Sequence, residues 1–286
     1  MHNLAHMGFS LHSPCSLLAE HINCYWTIKA AHCDLLQRAE FMHPEGGSGI
    51  VFNFADPMQF NHNWLAGHCL VNGPTRKTTR LTLFGKVDAL GVRFKPGKGM
   101  VLFAMPLAQV VDTQADISDI LPNFPGQELA ERMAPLDTPA RIQLLEQQLL
   151  RLLSLDLGEQ HCFENAVSRI QLACGQQPIQ HIFQDMGIGQ RQLERQFGRW
   201  LGMSPKQYSK LQRISLARDL LKNAQDNQSL TDLALQAGYY DQAHFIHEFK
   251  QVVGITPGQY LKRKQCDHLI EPPTSTNTTG IVGNSR

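Results

Sequence analysis

Long hydrophobic runs are missing from this 286-residue chain. No stretch approaches the ~20 consecutive apolar residues that cross a bilayer, so no membrane partner is expected. The opening segment, MHNLAHMGFSLHSPCSLLAEH, has no basic start and no clean apolar core, which argues against a signal peptide and for a cytoplasmic location. The seven cysteines are an odd number without a C-x-x-C pair, and they read as reduced thiols rather than a disulfide framework. There is no nucleophile motif, no glycine loop that would cradle a phosphate and no H-E-x-x-H. Neither an enzyme nor a cofactor is therefore expected. A strong net charge is also lacking, since the formal total is +1.

That small total hides an uneven distribution. Residues 160–265 carry 13 Lys/Arg against 8 Asp/Glu, a net of +5, whereas residues 1–159 carry 12 against 15, a net of −3. A basic half joined to an acidic half suits a DNA-binding module attached to another domain. Charge of this size also fits an ordinary solvated surface, so the pattern of residues has to decide.

The stretch Leu230–Tyr260 supplies such a pattern. It reads as a short helix to Ala237, a turn at Gly238 and a second helix with Asp241 as its N-cap, stopped near Gly254 and Pro257. Leu230, Leu233, Ala234 and Ala237 share one face of the first helix; Phe245, Phe249 and Val252 share one face of the second. Two short helices across a glycine turn form a helix-turn-helix, whose second helix commonly enters the DNA major groove. Helix–glycine–helix corners also occur in purely structural settings. A shift of 52 residues, however, aligns Gln190–Tyr208 with Gln242–Tyr260. Identities fall at Gln190/Gln242, Phe197/Phe249, Gly202/Gly254, Pro205/Pro257, Gln207/Gln259 and Tyr208/Tyr260. Ile179, Ile182, Phe183 and Gly187 provide the first helix and turn of the earlier copy. Between the copies, Ser204–Asn223 reads as an amphipathic helix that holds two tandem units at a fixed separation.

These residues resemble the DNA-binding domain of the AraC/XylS family of bacterial transcription regulators, over about Glu164 to Lys264. The resemblance rests on L-x-R-x-F at Leu193–Phe197, G-x-S-P-x-x-Y at Gly202–Tyr208 and R-x-x-x-A-x-x-L-L at Arg213–Leu221. In the second copy it rests on G-Y-x-D-Q-x-x-F-x-x-x-F-K at Gly238–Lys250, followed by G-x-T-P-x-x-Y to Tyr260. It implies base contacts at the positions of Arg191, Glu194 and Arg195, and a joining role between subdomains for Arg213.

With Leu193, Phe197 and Trp200 turned inward, Gln190, Arg191, Glu194 and Arg195 project outward in the first unit. Arg pairs with guanine, Gln with adenine, and Glu accepts from cytosine, each giving about 1–3 kcal/mol of discrimination. The alternative for this face is simple solvation or phosphate contact. In the second unit Gln242, Ala243, His244 and His247 are the outward candidates. His247 stands where many family members keep arginine, and histidine is shorter and mostly neutral near pH 7. Less direct base readout is therefore expected from this unit. Arg191, Arg199, Lys206, Lys210, Lys250 and the cluster Lys262–Lys264 are candidates for backbone contact.

Residues 15 to about 110 are strand-rich, with runs at Cys24–Ile28, Gly49–Phe54, Thr79–Phe84 and Asp88–Phe94 divided by Gly/Pro/Asn turns, which suggests a small barrel or sandwich. From about Met100 the pattern turns helical. Ala140–Leu157 either packs on its own domain or pairs with its copy in a homodimer. Tyr25–Thr27, Pro44–Gly46 with Ile50–Asn53, Gly73-Pro74 and Gly91–Gly97 (GVRFKPG) resemble an uncharacterised domain found ahead of AraC-type units. That resemblance implies sensing or dimerisation but no particular ligand. Tyr25, Trp26, Phe52, Trp64 and Arg93 are first choices for an effector pocket, although core packing explains the aromatics equally well. Cys15, Cys24, Cys33 and Cys69, with His32 and His68, raise metal or thiol sensing, but no spacing matches a ligand pair and no metal is assigned.

The expected fold is thus α+β. A β-rich sensing or dimerisation domain with C-terminal helices spans 1–158, an all-α domain of two helix-turn-helix units joined by a linker helix spans 159–265, and a disordered tail spans 266–286. The expected function is a sequence-specific DNA-binding transcriptional regulator. Double-stranded DNA is its partner, and RNA polymerase and a small-molecule effector are further candidate partners. The alternative is an architectural DNA-binding protein without effector control.

Overall fold

In the computed structural model, which describes residues 8–33, 39–99, 105–153, 161–224 and 228–268, the segment Gly49–Asn53 forms a strand buried along its whole length. Its β-branched and aromatic run, GIVFN, leaves no polar face, and the fold places protein on both sides of it. This strand, β4, lies at the middle of an antiparallel sheet ordered β1 (Ser10–His12), β2 (Ile22–Cys33), β9 (Gly85–Phe94), β4, β7 (Cys69–Asn72) and β10 (Gln114–Asp116). A second antiparallel sheet is ordered β3 (Ala39–Met42), β8 (Thr79–Thr82), β5 (Met58–Phe60) and β6 (Asn63–Leu65).

The pleat sends alternate residues of β4 to different cores. Val51 joins Ile28, Leu70 and Ala89 of the large sheet against Met58, Phe60 and Leu81 of the small one, forming a sandwich. Ile50 and Phe52 face the other way, where Tyr25, Val71, Leu90 and Val92 pack beneath α2 (Gly126–Met133) and α3 (Thr138–Leu153). The expected strands are present, β2 and β9 longer than expected and β4 and β8 ending one and two residues early, and β1, β3, β5, β6, β7 and β10 are additional. The helical pattern expected from Met100 is interrupted by β10, ahead of the one-turn α1 (Ile117–Ile120); residues 100–104 lie outside the described residues.

Of the two roles open to the helix at 140–157, packing on its own domain is the one observed. Leu145 and Leu149 are buried, and Arg141 donates from Nη1 and Nη2 to the Asp88 carboxylate of β9 at 2.6 and 3.2 Å. The same guanidinium donates from Nε to the Met133 carbonyl and lies 4.0 Å from the Phe54 ring centre. Residues 154–157 of that helix, and Gly158, lie outside the described residues.

The C-terminal half is built from α4 (His161–Leu172), α5 (Ile179–Met186), α6 (Gln190–Leu201), α7 (Pro205–Asn223), α8 (Leu230–Gln236), α9 (Gln242–Val253) and α10 (Pro257–His268). Ser204 caps α7 through a reciprocal box: its hydroxyl accepts from the Gln207 N–H, and the Gln207 side chain accepts from the Ser204 N–H. The amphipathic reading of this helix needs correction. Tyr208, Ser209, Leu211, Ile214, Ala217, Arg218 and Leu221 are buried around most of its circumference, and its exposed positions are Lys206, Gln207, Asp219 and Asn223. The helix is enclosed because both tandem units and the N-terminal domain pack on it. Tyr208 meets the backbone of Gly46, where an added Cβ would lie 2.6 Å from Cε2. Gly46 holds φ +80°, and its missing side chain is what allows this approach. One continuous core therefore runs from Phe52 through Phe163 and Phe197 to Phe249. The last helix continues to His268, and the residues beyond it, read as a tail, lie outside the described residues.

Candidate nucleic-acid interface

Each helix-turn-helix unit is a pair of helices turned by a left-handed glycine. In the first, α5 ends at Gly187 (φ +62°) and α6 follows; in the second, α8 is followed by Gly238 (φ +80°) and then α9. Buried side chains hold each corner. Ile182 and Phe183 meet Leu193 and Phe197 in the first, while Leu233 and Ala234 meet Phe245 and Phe249 in the second. The inward triad Leu193, Phe197 and Trp200 leaves Gln190, Arg191, Glu194, Arg195 and Arg199 exposed on α6. On α9, Ala243, His244, His247 and Lys250 are exposed and Gln242 is half-buried.

The two outward faces differ in how much of their polarity is already spent. On α6, Gln190 donates to Glu194 at 2.8 Å, and Arg199 stacks beside Trp200 at 5.7 Å. Arg191 and Arg195 make no hydrogen bond or ion pair with another of the described residues. On α9, the Gln242 carbonyl accepts from the Thr231 hydroxyl, His247 contacts Gln251 at 2.7 Å, and His244 faces Glu248 at 3.5 Å. Glu248, only 13% exposed at its side chain, also takes a 3.1 Å ion pair from Lys210 of α7. Lys210, read above as a candidate for backbone contact, is thereby committed within the protein.

The helix starts differ in the same direction. Asp241 caps α9 with its carboxylate, which accepts from the His244 N–H at 2.7 Å and sets a negative charge at the helix start. Gly189 opens α6 without any side-chain cap, leaving backbone N–H groups at the positive end of the helix dipole for an incoming anion. This asymmetry was readable in the sequence as Gly189 against Asp241. The Glu248–Lys210 pair was not, because its partners lie on different helices at no characteristic spacing.

Other candidates take structural positions. Arg213 lies over the Tyr239 ring at 5.2 Å and so joins α7 to the second turn. Arg263 lies 5.2 Å from the ring centre of Phe41 in the N-terminal domain; the Lys264 side chain lies outside the described residues. Tyr25, Trp26, Phe52, Trp64 and Arg93 are not brought to a common cavity. Tyr25 and Phe52 are core, Trp26 stacks on Phe9, Trp64 packs on Phe84, and Arg93 pairs with Glu45 at 3.0 Å. A cleft of about 720 Å³ lies elsewhere, between loop 75–79 and helices α7 and α9. Burial raises the thiol pKa values of Cys24 and Cys69, holding both in the protonated form. Among the described residues no group of three His, Cys, Asp or Glu side chains could hold a metal ion, and no helix is long and apolar enough to cross a membrane.

Residues 182–263 match the family described as Helix-turn-helix domain, and residues 10–116 match Domain of unknown function DUF6597. An uncharacterised HTH-type transcriptional regulator of Haemophilus influenzae is 39% identical over 66 residues, which is 23% of this chain and 22% of that protein. The virulence regulon transcriptional activator VirF of Yersinia enterocolitica is 32% identical over 75 residues, 26% of this chain and 27% of that protein. The chain thus spans about a quarter of the length of these relatives. Among solved structures, a transcriptional regulator with an AraC-type DNA-binding domain from Chromobacterium violaceum is 28% identical, covering 38% of this chain and 96% of that one with a TM-score of 0.34.

Proposed function

The chain is of the AraC/XylS family in its C-terminal domain, with a DUF6597 domain ahead of it, and from that premise we propose that it is a sequence-specific DNA-binding transcriptional regulator. Two recognition helices per molecule, α6 and α9, enter successive major-groove segments on one face of the duplex, about 10–10.5 bp apart. The observation that carries this reading is the tandem repeat of one helix-turn-helix around a shared helix, with the outward faces of α6 and α9 left exposed.

Within it, α6 performs most of the base readout through Arg191 and Arg195, with Glu194 held by Gln190. Helix α9, through Gln242, Ala243, His244, His247 and Lys250, contributes contacts that depend more on backbone and groove shape. The free arginines, the uncapped start of α6 and the committed histidines of α9 support this division. Residues 1–158 act as the regulatory domain and residues 159–265 as the DNA-binding domain. Regulation passes through a small-molecule effector, a second copy or RNA polymerase, and the relatives' names suggest no catalytic role.

Selection of bound duplexes from a random pool tests the reading. One asymmetric two-box sequence should emerge, bound at least about 10³-fold more tightly than unrelated DNA at physiological salt. Equal affinity for all sequences would favour an architectural DNA binder instead.

A further inference from the structure

Both recognition helices are held at their C-terminal ends by the N-terminal domain, and the two holding points are tied to each other. The carbonyl of Val252, in the last turn of α9, accepts from the Thr78 N–H at 2.8 Å. Gly202, the residue that ends α6, lies so close to the one-turn 3-10 helix Leu107–Val110 that a Cβ there would stand 2.9 Å from the Leu107 oxygen and 2.2 Å from a Val111 methyl. Loop 73–78 and the segment around 107–113 are themselves joined. The Asp112 N–H donates to Pro74 at 2.9 Å and the Gly73 N–H to Thr113 at 3.0 Å. The Asp112 carboxylate accepts from the Arg76 backbone N–H and from its Nε, both at 2.7 Å, and Nη2 lies 2.6 Å away.

We propose that Arg76 and Asp112 are positioning residues for DNA reading: their clamp makes the two loops one rigid bracket, which fixes the phase of α9 relative to α6. The pair touches neither recognition face. At 49% and 39% side-chain exposure it is also too solvated to add much to stability, so its consequence is geometric. Three contacts from one arginine to one carboxylate define a single orientation, which a lone surface ion pair does not. Asp112 moreover holds φ +56°, a conformation that non-glycine residues adopt sparingly and that the bracket maintains. The cleft lined by Arg76, Thr78, Asp112, Lys210 and Val252 adjoins this bracket.

This inference rests on the proposed function, and one titration separates the two. The full chain is titrated by fluorescence anisotropy onto duplexes carrying its selected two-box site, with the boxes at the selected spacing or displaced by one base pair either way. Each displacement turns one box by about a tenth of a helical turn, and wild type should lose about tenfold or more in affinity. Asp112→Asn keeps a residue suited to positive φ and removes the charge. It should fold with unchanged circular dichroism and lose at least about threefold of that spacing discrimination. Arg76→Lys, which keeps charge but not the fork, should lose it as well. If both variants keep the wild-type spacing profile, whatever their overall affinity, the clamp has no positioning role. If wild type selects a sequence but ignores spacing, the clamp proposal fails while the regulator reading stands; if wild type selects no sequence, both fall.

Discussion

The amide of Thr78 donates to the carbonyl of Val252 at 2.8 Å, a main-chain bond between the β-rich domain and the end of α9. It sits in a junction that includes His43, whose Nδ1 lies 2.8 Å from the Thr78 hydroxyl and whose ring meets the edge of Tyr260 at 6.1 Å. The two domains are therefore packed through polar and aromatic contacts as well as through the shared core.

His43 should make this junction pH-dependent. Burial, with Arg218 and Lys222 nearby, pushes its pKa from 6.5 down to about 3. The folded state therefore refuses a proton that the unfolded chain accepts below pH 6.5, so stability is fully present above that pH and falls as pH drops. Chemical denaturation of wild type between pH 7 and pH 5 should show a loss of about 1–2 kcal/mol from this group. His43→Gln should remove that part of the slope. An unchanged slope would show that His43 is protonated without penalty.

Gly46→Ala tests the contact between the domains. The new Cβ would stand 2.6 Å from the Tyr208 ring at a backbone φ of +80°. A destabilisation of about 1–3 kcal/mol in thermal or denaturant unfolding is expected, from strain and overpacking together. Tyr208→Leu in the same chain should recover part of it, since the clash is with that ring.

Phe249 is fully buried and makes edge contacts with Phe245 and Tyr260, centroids 5.6 Å apart in each case. Phe249→Ala should cost about 3–5 kcal/mol in denaturant titration. The effect on DNA binding should follow the unfolded fraction, because Phe249 lies on the buried side of α9, away from its exposed residues.

Arg141 and Asp88 form the most buried ion pair named above, with side chains 5% and 11% exposed. Arg141→Met leaves Asp88 buried with, among the described residues, only the exposed Lys29 as a cation partner at 3.9 Å, and should cost about 3–5 kcal/mol. The doubly apolar Arg141→Met/Asp88→Leu variant should be less destabilised than that single one.

The C-terminal half was legible because its signals are local. Glycine turns, the Ser204 and Asp241 caps, and apolar spacing all act within a few residues, and the repeat doubled each of them. The N-terminal sheet was legible where strands are long and β-branched, as at β4 and β9. It was missed where strands of three residues owe their existence to neighbours, as at β5, β6 and β10. The enclosed α7 was read as half-exposed because Ser209 and Arg218 look like surface residues; the Gly175 carbonyl takes the Ser209 hydroxyl at 2.9 Å, and both side chains are covered by the surrounding elements. The exposed faces of α6 and α9 follow directly from helical periodicity. The commitment of Lys210 to Glu248 and the Arg76–Asp112 bracket are contacts between distant segments, for which sequence spacing carries no signal.

The central claim is that α6 reads bases and α9 reads them less. Its most direct test is a comparison of Arg195→Ala with His247→Ala on the selected DNA site and on single-base variants of it. Arg195→Ala should lower affinity for the selected site and remove about 1–3 kcal/mol of discrimination at one box position, while His247→Ala should change discrimination little. A larger loss of discrimination from His247→Ala than from Arg195→Ala would contradict it.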